Sequence, residues 1–274
     1  MHRSNAYQAR HGGYEVLFAV NVGNTNIRLG VYEGKKLIAH WKLATNREWT
    51  SDEFGMFFIS FFNNEKLDVS EVEAVIIASV VPPIMYSFEH AIRKYIKKEP
   101  ILIGPGIKTG INIKYENPRE LGADRIASAV AAYEIYGGPV IIVDFGTATT
   151  FNAVSSKGEF LGGAICPGIK ISAEALYQRT AKLPRIDLTK HDTVIGRNTS
   201  VSMQSGVFHG YVGQVNHLVN RIKQEMKEDH IKVIATGGLA KFIATEAETI
   251  DEVNGLLTLE GLRIIYEKNR TDII

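Results

Sequence analysis

The chain has little that would mark it as secreted, membrane-bound or nucleic-acid-binding. Its 274 residues include one cysteine, Cys166, so an internal disulfide cannot form and a reducing, cytoplasmic setting is expected. It lacks any apolar run near the ~20 residues that a membrane-spanning helix needs. No signal-peptide pattern opens it, so no membrane partner is expected. Charge excess is missing as well: 31 Lys and Arg against 30 Asp and Glu leave a formal +1. Neither nucleic acid nor an acidic membrane surface is therefore expected as a partner, and Lys97-Lys98 reads as a solvated helix end. None of the eight histidines has metal-ligand spacing; His209 and His217 on one helix read as packed or solvated. Cys166, before Pro167-Gly168, has no base nearby in sequence, which argues against a catalytic thiol.

What is present is an ordinary globular balance, 45% hydrophobic and 22% charged, enough for one large domain or two of usual size. Residues 1–14 are polar and aperiodic, and read as a disordered leader or an expression remnant. From Glu15 to Trp41 the pattern gives three short strands, with turns at Gly23-Asn24 and Glu33-Gly34-Lys35. An amphipathic helix over Thr50 to Phe62 takes Ser51 or Asp52 as its N-cap, and Ala74 to Val81 is a strand covered on both faces. Pro82-Pro83 opens a helix through Lys98, and Ile101 to Ile103 is a short strand. Pro118 to Tyr136 reads as one alanine-rich helix ending before Gly137-Gly138. Strands then follow at 139–145, 149–154 and 159–165, and helices at about 169–181 and 200–227. A strand at 231–235 and a last helix at 256–268 complete the pattern. Hairpins, helix and crossover strand thus recur in nearly the same order. The expectation is α/β architecture with two duplicated domains, 15–117 and 118–274, rather than one open doubly wound sheet.

Two small-residue turns stand out. Val16 to Val22 runs into Gly23-Asn24-Thr25-Asn26, and Val140 to Phe145 runs into Gly146-Thr147-Ala148-Thr149-Thr150. Such turns let backbone N–H groups approach an anion, and threonine hydroxyls add donors. A plain hairpin accounts for Gly23 and Asn24, although it does not need Thr25 and Asn26. Asp144, at the position analogous to Asn21, reads either as a cation ligand beside phosphates or as a cap for the next turn. In the segment Asn117 to Arg125, helical spacing puts Glu120 and Asp124 on one face and Arg125 about 100° away. That is either a surface helix with alternating charges or an Asp–Arg pair that meets a hydroxyl and an anion. Gly122 inside the helix would permit close approach, at a cost of ~1 kcal/mol relative to alanine. Thr236-Gly237-Gly238 reads as a platform for a purine or as a simple strand-to-helix turn. Thr199, after Gly196-Arg197-Asn198, is equally good as an N-cap.

Taken together these motifs resemble type III pantothenate kinases, members of the actin, sugar-kinase and Hsp70-like superfamily. The resemblance spans about Glu15 to Lys268. It rests on Val22 to Asn26, Asn117-Pro118 through Arg125, Asp144 to Thr150, Gly162-Gly163 to Pro167-Gly168, and Thr236 to Gly238. It implies two ribonuclease-H-like (actin-like ATPase) domains around an inter-domain nucleotide cleft. The implied reaction is ATP-dependent phosphorylation of pantothenate at its 4′-hydroxyl, the first committed step of coenzyme A synthesis. By that likeness Asp124 is the general base. Gly122, Ala123, Asp124, Arg125, Tyr115 and Thr199 hold pantothenate. Asn21, Val22, Gly23, Asn24, Thr25, Asn26, Ile27 and Arg28 wrap the ATP phosphates, with Thr147, Gly237 and Gly238 from the second half. Asp144 holds a monovalent cation, K⁺ or NH₄⁺, used alongside Mg²⁺, and the family is homodimeric and cytoplasmic.

One position departs from the family pattern. Its first phosphate motif begins with aspartate, where this chain has Asn21. An amide brings no charge to a magnesium ion, so a weakened Mg²⁺ site is expected. This departure leaves a non-catalytic regulatory relative of the same fold as the alternative. A kinase of another small alcohol, or a phosphatase of the superfamily, is a third reading.

Overall fold

A computed structural model describes residues 15–273, so the expected leader, 1–14, lies outside the described residues. The first sheet contains β1 (Val16–Val22), β2 (Asn26–Glu33), β3 (Lys36–Ala44), β4 (Val72–Ser79) and β5 (Pro100–Leu102), in the order β3-β2-β1-β4-β5. β1 is antiparallel to β2 and parallel to β4; β2 and β3 are antiparallel, β4 and β5 parallel. All of β1 is buried, as the apolar run Val16 to Val20 requires of a central strand, and its one polar residue, Asn21, is buried with it. Helices α1 (Ser51–Asn64) and α2 (Pro82–Ala91) bring Phe54, Phe58, Phe62 and Phe88 into a core with Phe18, where the rings meet edge to face. The cap of α1 is Thr50, one residue earlier than expected. Its side chain accepts from the Glu53 N–H while Glu53 returns a bond to the Thr50 N–H, a capping box that outcompetes Ser51 and Asp52. α2 ends in a π-helical turn, Ile92–Ile96, with Lys97 left-handed behind it, so the expected helix stops just short of Lys98.

The second sheet contains β6 (Asn112–Ile113), β7 (Val140–Phe145), β8 (Ala148–Val154), β9 (Glu159–Pro167), β10 (Lys232–Gly237) and β11 (Glu252–Val253). Its order is β11-β10-β7-β8-β9-β6. β7 to β11 repeat β1 to β5 in order and in every pairing sense, and β6 adds an edge strand parallel to β9. The expected duplication is therefore present, strand for strand. Helices α3 (Ala123–Tyr136), α4 (Ile169–Arg179), α5 (Thr199–Met226), α6 (Ala240–Ala244) and α7 (Leu257–Ile273) complete the chain. Phe208, Val215 and Val219 of α5 pack with Phe151, Val143 and Val233 in a core of their own.

Packing divides the described residues differently from a single cut at 117/118. One compact unit takes residues up to Gly110, then Arg119–Ser128, then those from Thr258; the other takes Ile111–Pro118 and Ala129–Leu257. The reason lies where α7 lies against the start of α3. A Cβ on Gly261 would come within 1.8 Å of the Ala127 carbonyl oxygen, and the Ser128 and Thr258 hydroxyls are bonded at 2.9 Å. No side chain larger than hydrogen fits at 261 without parting the two helices. Gly261→Ala should destabilise the protein by the ~1–3 kcal/mol typical of overpacking. The check is its urea midpoint and Tm; an unchanged midpoint would mean that α7 does not lie on α3 as described.

Candidate active site

The first small-residue turn is the β1–β2 hairpin. The Gly23 N–H donates to the Asn26 carbonyl at 3.1 Å, so the glycine closes the turn rather than facing outward. Asn24 and Thr25 are exposed, whereas Val22 and Ile27 are wholly buried, so these last two can offer a ligand only backbone. Thr45 pins the turn from β3: its hydroxyl donates to the Gly23 carbonyl at 2.6 Å and its N–H to Thr25 at 3.0 Å. The sequence motifs did not single out Thr45. Its signal lies in the β2–β3 register, where the pairing of Asn26 with Ala44 carries the ladder one residue past the strand. Asn21 lies one residue before the end of β1, with Arg28 opposite it on β2 and Ala78 beside it on β4. Its Oδ1 is buried and makes no hydrogen bond.

In the same compact unit, the segment expected to be one helix from Pro118 is broken. A 3₁₀ turn, Pro118–Glu120, is followed by Leu121 and Gly122, and α3 starts at Ala123. Glu120 and Asp124 therefore do not share a helix face. Gly122 is not inside the helix either; its carbonyl accepts the first helical bond, from the Ile126 N–H. Asp124 sits in the first turn, where its Oδ1 accepts from the Arg125 N–H at 2.8 Å. A Cβ on Gly122 would fall 2.6 Å from that oxygen and 3.4 Å from Val80, so the missing side chain makes room for the carboxylate. Val80 follows β4, and its N–H is bonded to the Val22 carbonyl of the hairpin strand. Burial pushes the Asp124 carboxyl up from its ordinary value. The Arg125 and Asp124 N–H groups and the Arg125 charge pull it back only in part.

In the other unit, Asp144 occupies the place in β7 that Asn21 occupies in β1. Thr150 lies opposite on β8 and Thr236 beside it on β10. Gly237 has φ +96°, and a Cβ there would lie 2.4 Å from Asp144 Oδ1, so glycine is required on both counts. The Thr236 hydroxyl is buried without a partner. Thr147 is exposed in its turn, and Gly238 faces open space. Tyr115 lies after β6, its ring 6.1 Å from that of Phe160 and beside Gly162. Thr199 is the exposed first residue of α5, and the cap is Asn198, whose side chain accepts from the Val201 N–H. Thus Asn21 to Arg28 and Gly122 to Arg125 share one unit. Tyr115, Asp144, Thr147, Thr199 and Gly237-Gly238 belong to the other.

The family model described as type III pantothenate kinase matches residues 17–221. The chain belongs to the type III pantothenate kinase family. As a member it is an ATP-using phosphotransferase with an alcohol acceptor, pantothenate, and serves coenzyme A synthesis. Solved structures agree on the fold. A Baf family transcriptional activator from Campylobacter jejuni is 21% identical over 93% of this chain and 99% of its own, with TM-score 0.59. Ethanolamine utilization protein EutJ from Carboxydothermus hydrogenoformans is 15% identical over 92% and 89%, with TM-score 0.52. A ROK hexokinase from Thermus thermophilus is 12% identical over 92% and 99%, with TM-score 0.50. The fold is thus the duplicated actin-like one, as the family resemblance implied. No described helix is long and apolar enough to cross a membrane.

The donor sets differ in what they suit. Among the described residues no three His, Cys, Asp or Glu side chains gather as a metal cage. Magnesium in such a kinase would rely on substrate phosphates and water for most of its ligands. The Asp144 carboxylate with the Thr236 hydroxyl beside it is an all-oxygen set, which suits a hard cation.

Asp124 gives a stability test with a definite sign. Its pKa is raised on folding, so the folded state is favoured when the group is protonated, and that contribution is lost as pH rises through the folded value. Asp124→Asn should therefore raise Tm at neutral pH, with the gain fading as pH falls through the raised folded value and gone below about 4, where the carboxyl is neutral folded and unfolded alike. Melting curves across that range decide it; an asparagine variant less stable at pH 7 would contradict the burial.

Proposed function

We propose that the chain transfers the γ-phosphoryl group of ATP to the 4′-hydroxyl of pantothenate, giving 4′-phosphopantothenate, with Asp124 as general base. The observation that supports this is a half-buried carboxylate of raised proton affinity, held by helix N–H groups in the unit that carries the first hairpin. A carboxylate with a raised pKa takes a proton more readily near neutral pH. As the hydroxyl oxygen bonds to phosphorus, its proton passes to Asp124; the bond to the β-phosphate oxygen breaks, and ADP leaves. Arg125 lies next to Asp124 at the helix start and serves the carboxylate of pantothenate. Residues Asn21 to Arg28 take the phosphates, Gly237-Gly238 the base of the nucleotide, and Asp144 a monovalent cation, K⁺ or NH₄⁺. Thr147 is assigned to ATP, and Tyr115 and Thr199 to pantothenate, on the family resemblance. A divalent ion, when bound, neutralises phosphate charge. The single cysteine supports a cytoplasmic location.

Asp124→Ala should keep ATP binding and lose ~10²–10⁴-fold in turnover, the usual worth of general-base help. Pantothenate-dependent ADP release, measured in potassium and in sodium, is the readout. Near-normal turnover would remove Asp124 from the role. The amide at Asn21 favours one other reading, a non-catalytic relative, which would bind nucleotide in this assay and release no ADP.

The homodimer implied by the resemblance has a candidate face. On α5, Gly206, Gly210 and Gly213 are exposed, and a Cβ at each would meet nothing within 4 Å. Beside them α4 and α5 border a groove of about 440 Å³, and Ile165, Ile171 and Tyr177 of the same unit are exposed. A second copy of the chain would cover such a face by close helix packing. Sedimentation equilibrium should give twice the 30.3 kDa chain mass, and Gly210→Trp should shift it to monomer. A monomeric wild type at micromolar concentration would exclude the dimer.

A further inference from the structure

The duplication allows the two halves to be compared position by position. At the penultimate residue of the first strand, the second half carries the carboxylate Asp144, with Thr150 opposite and Thr236 beside it. The first half carries the neutral amide Asn21, with Arg28 opposite and Ala78 beside it. Directly opposed residues of an antiparallel pair point to the same face of the sheet, so the amide and the guanidinium stand together at the foot of the hairpin. Exchanging a carboxylate–threonine pair for an amide–arginine pair turns an acceptor-rich, anionic spot into a donor-rich, cationic one.

The details agree with that reading. Asn21 is 9% exposed; its Oδ1 is shut in without a hydrogen bond, so the amide NH₂ is its solvent-facing end. An amide NH₂ offers two donors, whereas a carboxylate offers none. Arg28 is half-buried and has no ion-pair partner among the described residues. The polar residues of the turn, Asn24 and Thr25, are exposed just beyond. A phosphate chain arriving here meets donors and a fixed positive charge, and residue 21 itself brings no negative charge to repel it.

We propose that the β1–β2 hairpin binds the triphosphate of ATP directly through Asn21 and Arg28, without needing a divalent ion bridged to residue 21. This rests on the assignment of residues 21 to 28 to the phosphates. It makes nucleotide affinity in the first half nearly independent of Mg²⁺, whatever the metal requirement of the transfer step. Arg28 is a binding determinant in this scheme. The amide at 21 is what permits metal-free ATP, because an aspartate there would face the phosphates with like charge.

Isothermal titration calorimetry with the full chain tests it, using ATP in EDTA and ATP with excess Mg²⁺. Wild type should bind the two forms with Kd values within about threefold. Asn21→Asp should lose about tenfold or more in affinity for ATP in EDTA and recover when Mg²⁺ is added, as expected for a buried like-charge clash relieved by a cation. Arg28→Gln should weaken both forms by about tenfold, the loss of a charge-assisted bond. Wild-type binding that needs Mg²⁺ would overturn the inference and leave the kinase reading intact. Binding in EDTA without pantothenate-dependent ADP release would overturn the kinase reading and leave the inference standing. No ATP binding in either buffer would defeat both. Should a variant fail to fold by circular dichroism, the two wild-type titrations still decide.

Discussion

A carboxylate withdrawn from water and at the same time held by helix N–H groups is the constraint on which the packing at the start of α3 depends. Desolvation raises the proton affinity of Asp124, and the N–H donors at the start of α3 oppose part of that rise. That balance needs three further features. Gly122 must lack a side chain, or the oxygen loses its place. The helix must begin at Ala123 and not at Pro118, so that first-turn N–H groups, which have no acceptor within the helix, lie beside residue 124. Val80 must close the space behind, and it does so from the end of a strand that is also bonded to the hairpin. Asp124 and the first hairpin are thereby parts of one packed body.

The duplicated sheets carry different polar residues on one topology. Strand order, pairing sense and the small-residue turn are the same in both halves. What changes is a handful of polar residues at the strand ends: Asn21, Arg28 and Ala78 in one half, Asp144, Thr150 and Thr236 in the other. Backbone geometry sets where a ligand can approach; these side chains set the sign of the charge it meets.

Long apolar runs made most of this legible in the amino-acid sequence. β1, β4 and β7 are continuous enough to locate within a residue or two, and the recurrence of turns announced the duplication. The two-residue strands Asn112–Ile113 and Glu252–Val253 and the five-residue helix Ala240–Ala244 carry too few positions for any period to show, and none was foreseen. The interruption at Leu121-Gly122 was hidden because Pro118, Arg119 and Glu120 are as good at a helix start as in a 3₁₀ turn. Thr50 is recognisable as the cap only when paired with Glu53, because Ser51 and Asp52 are equally good cap residues taken singly. At the site, the residue types pointed to Asp124 and Asp144, but the packing that assigns them to different units depends on contacts more than a hundred residues apart.

Because α7 completes the unit that β1 begins, an early portion of the chain waits for a much later one. During synthesis, the β1–β5 sheet emerges long before the helix that lies against the start of α3 leaves the ribosome. The hairpin and its neighbouring aspartate settle into their final body only once α7 has emerged, and a contiguous fragment ending near residue 117 would lack both the aspartate and its supporting helix.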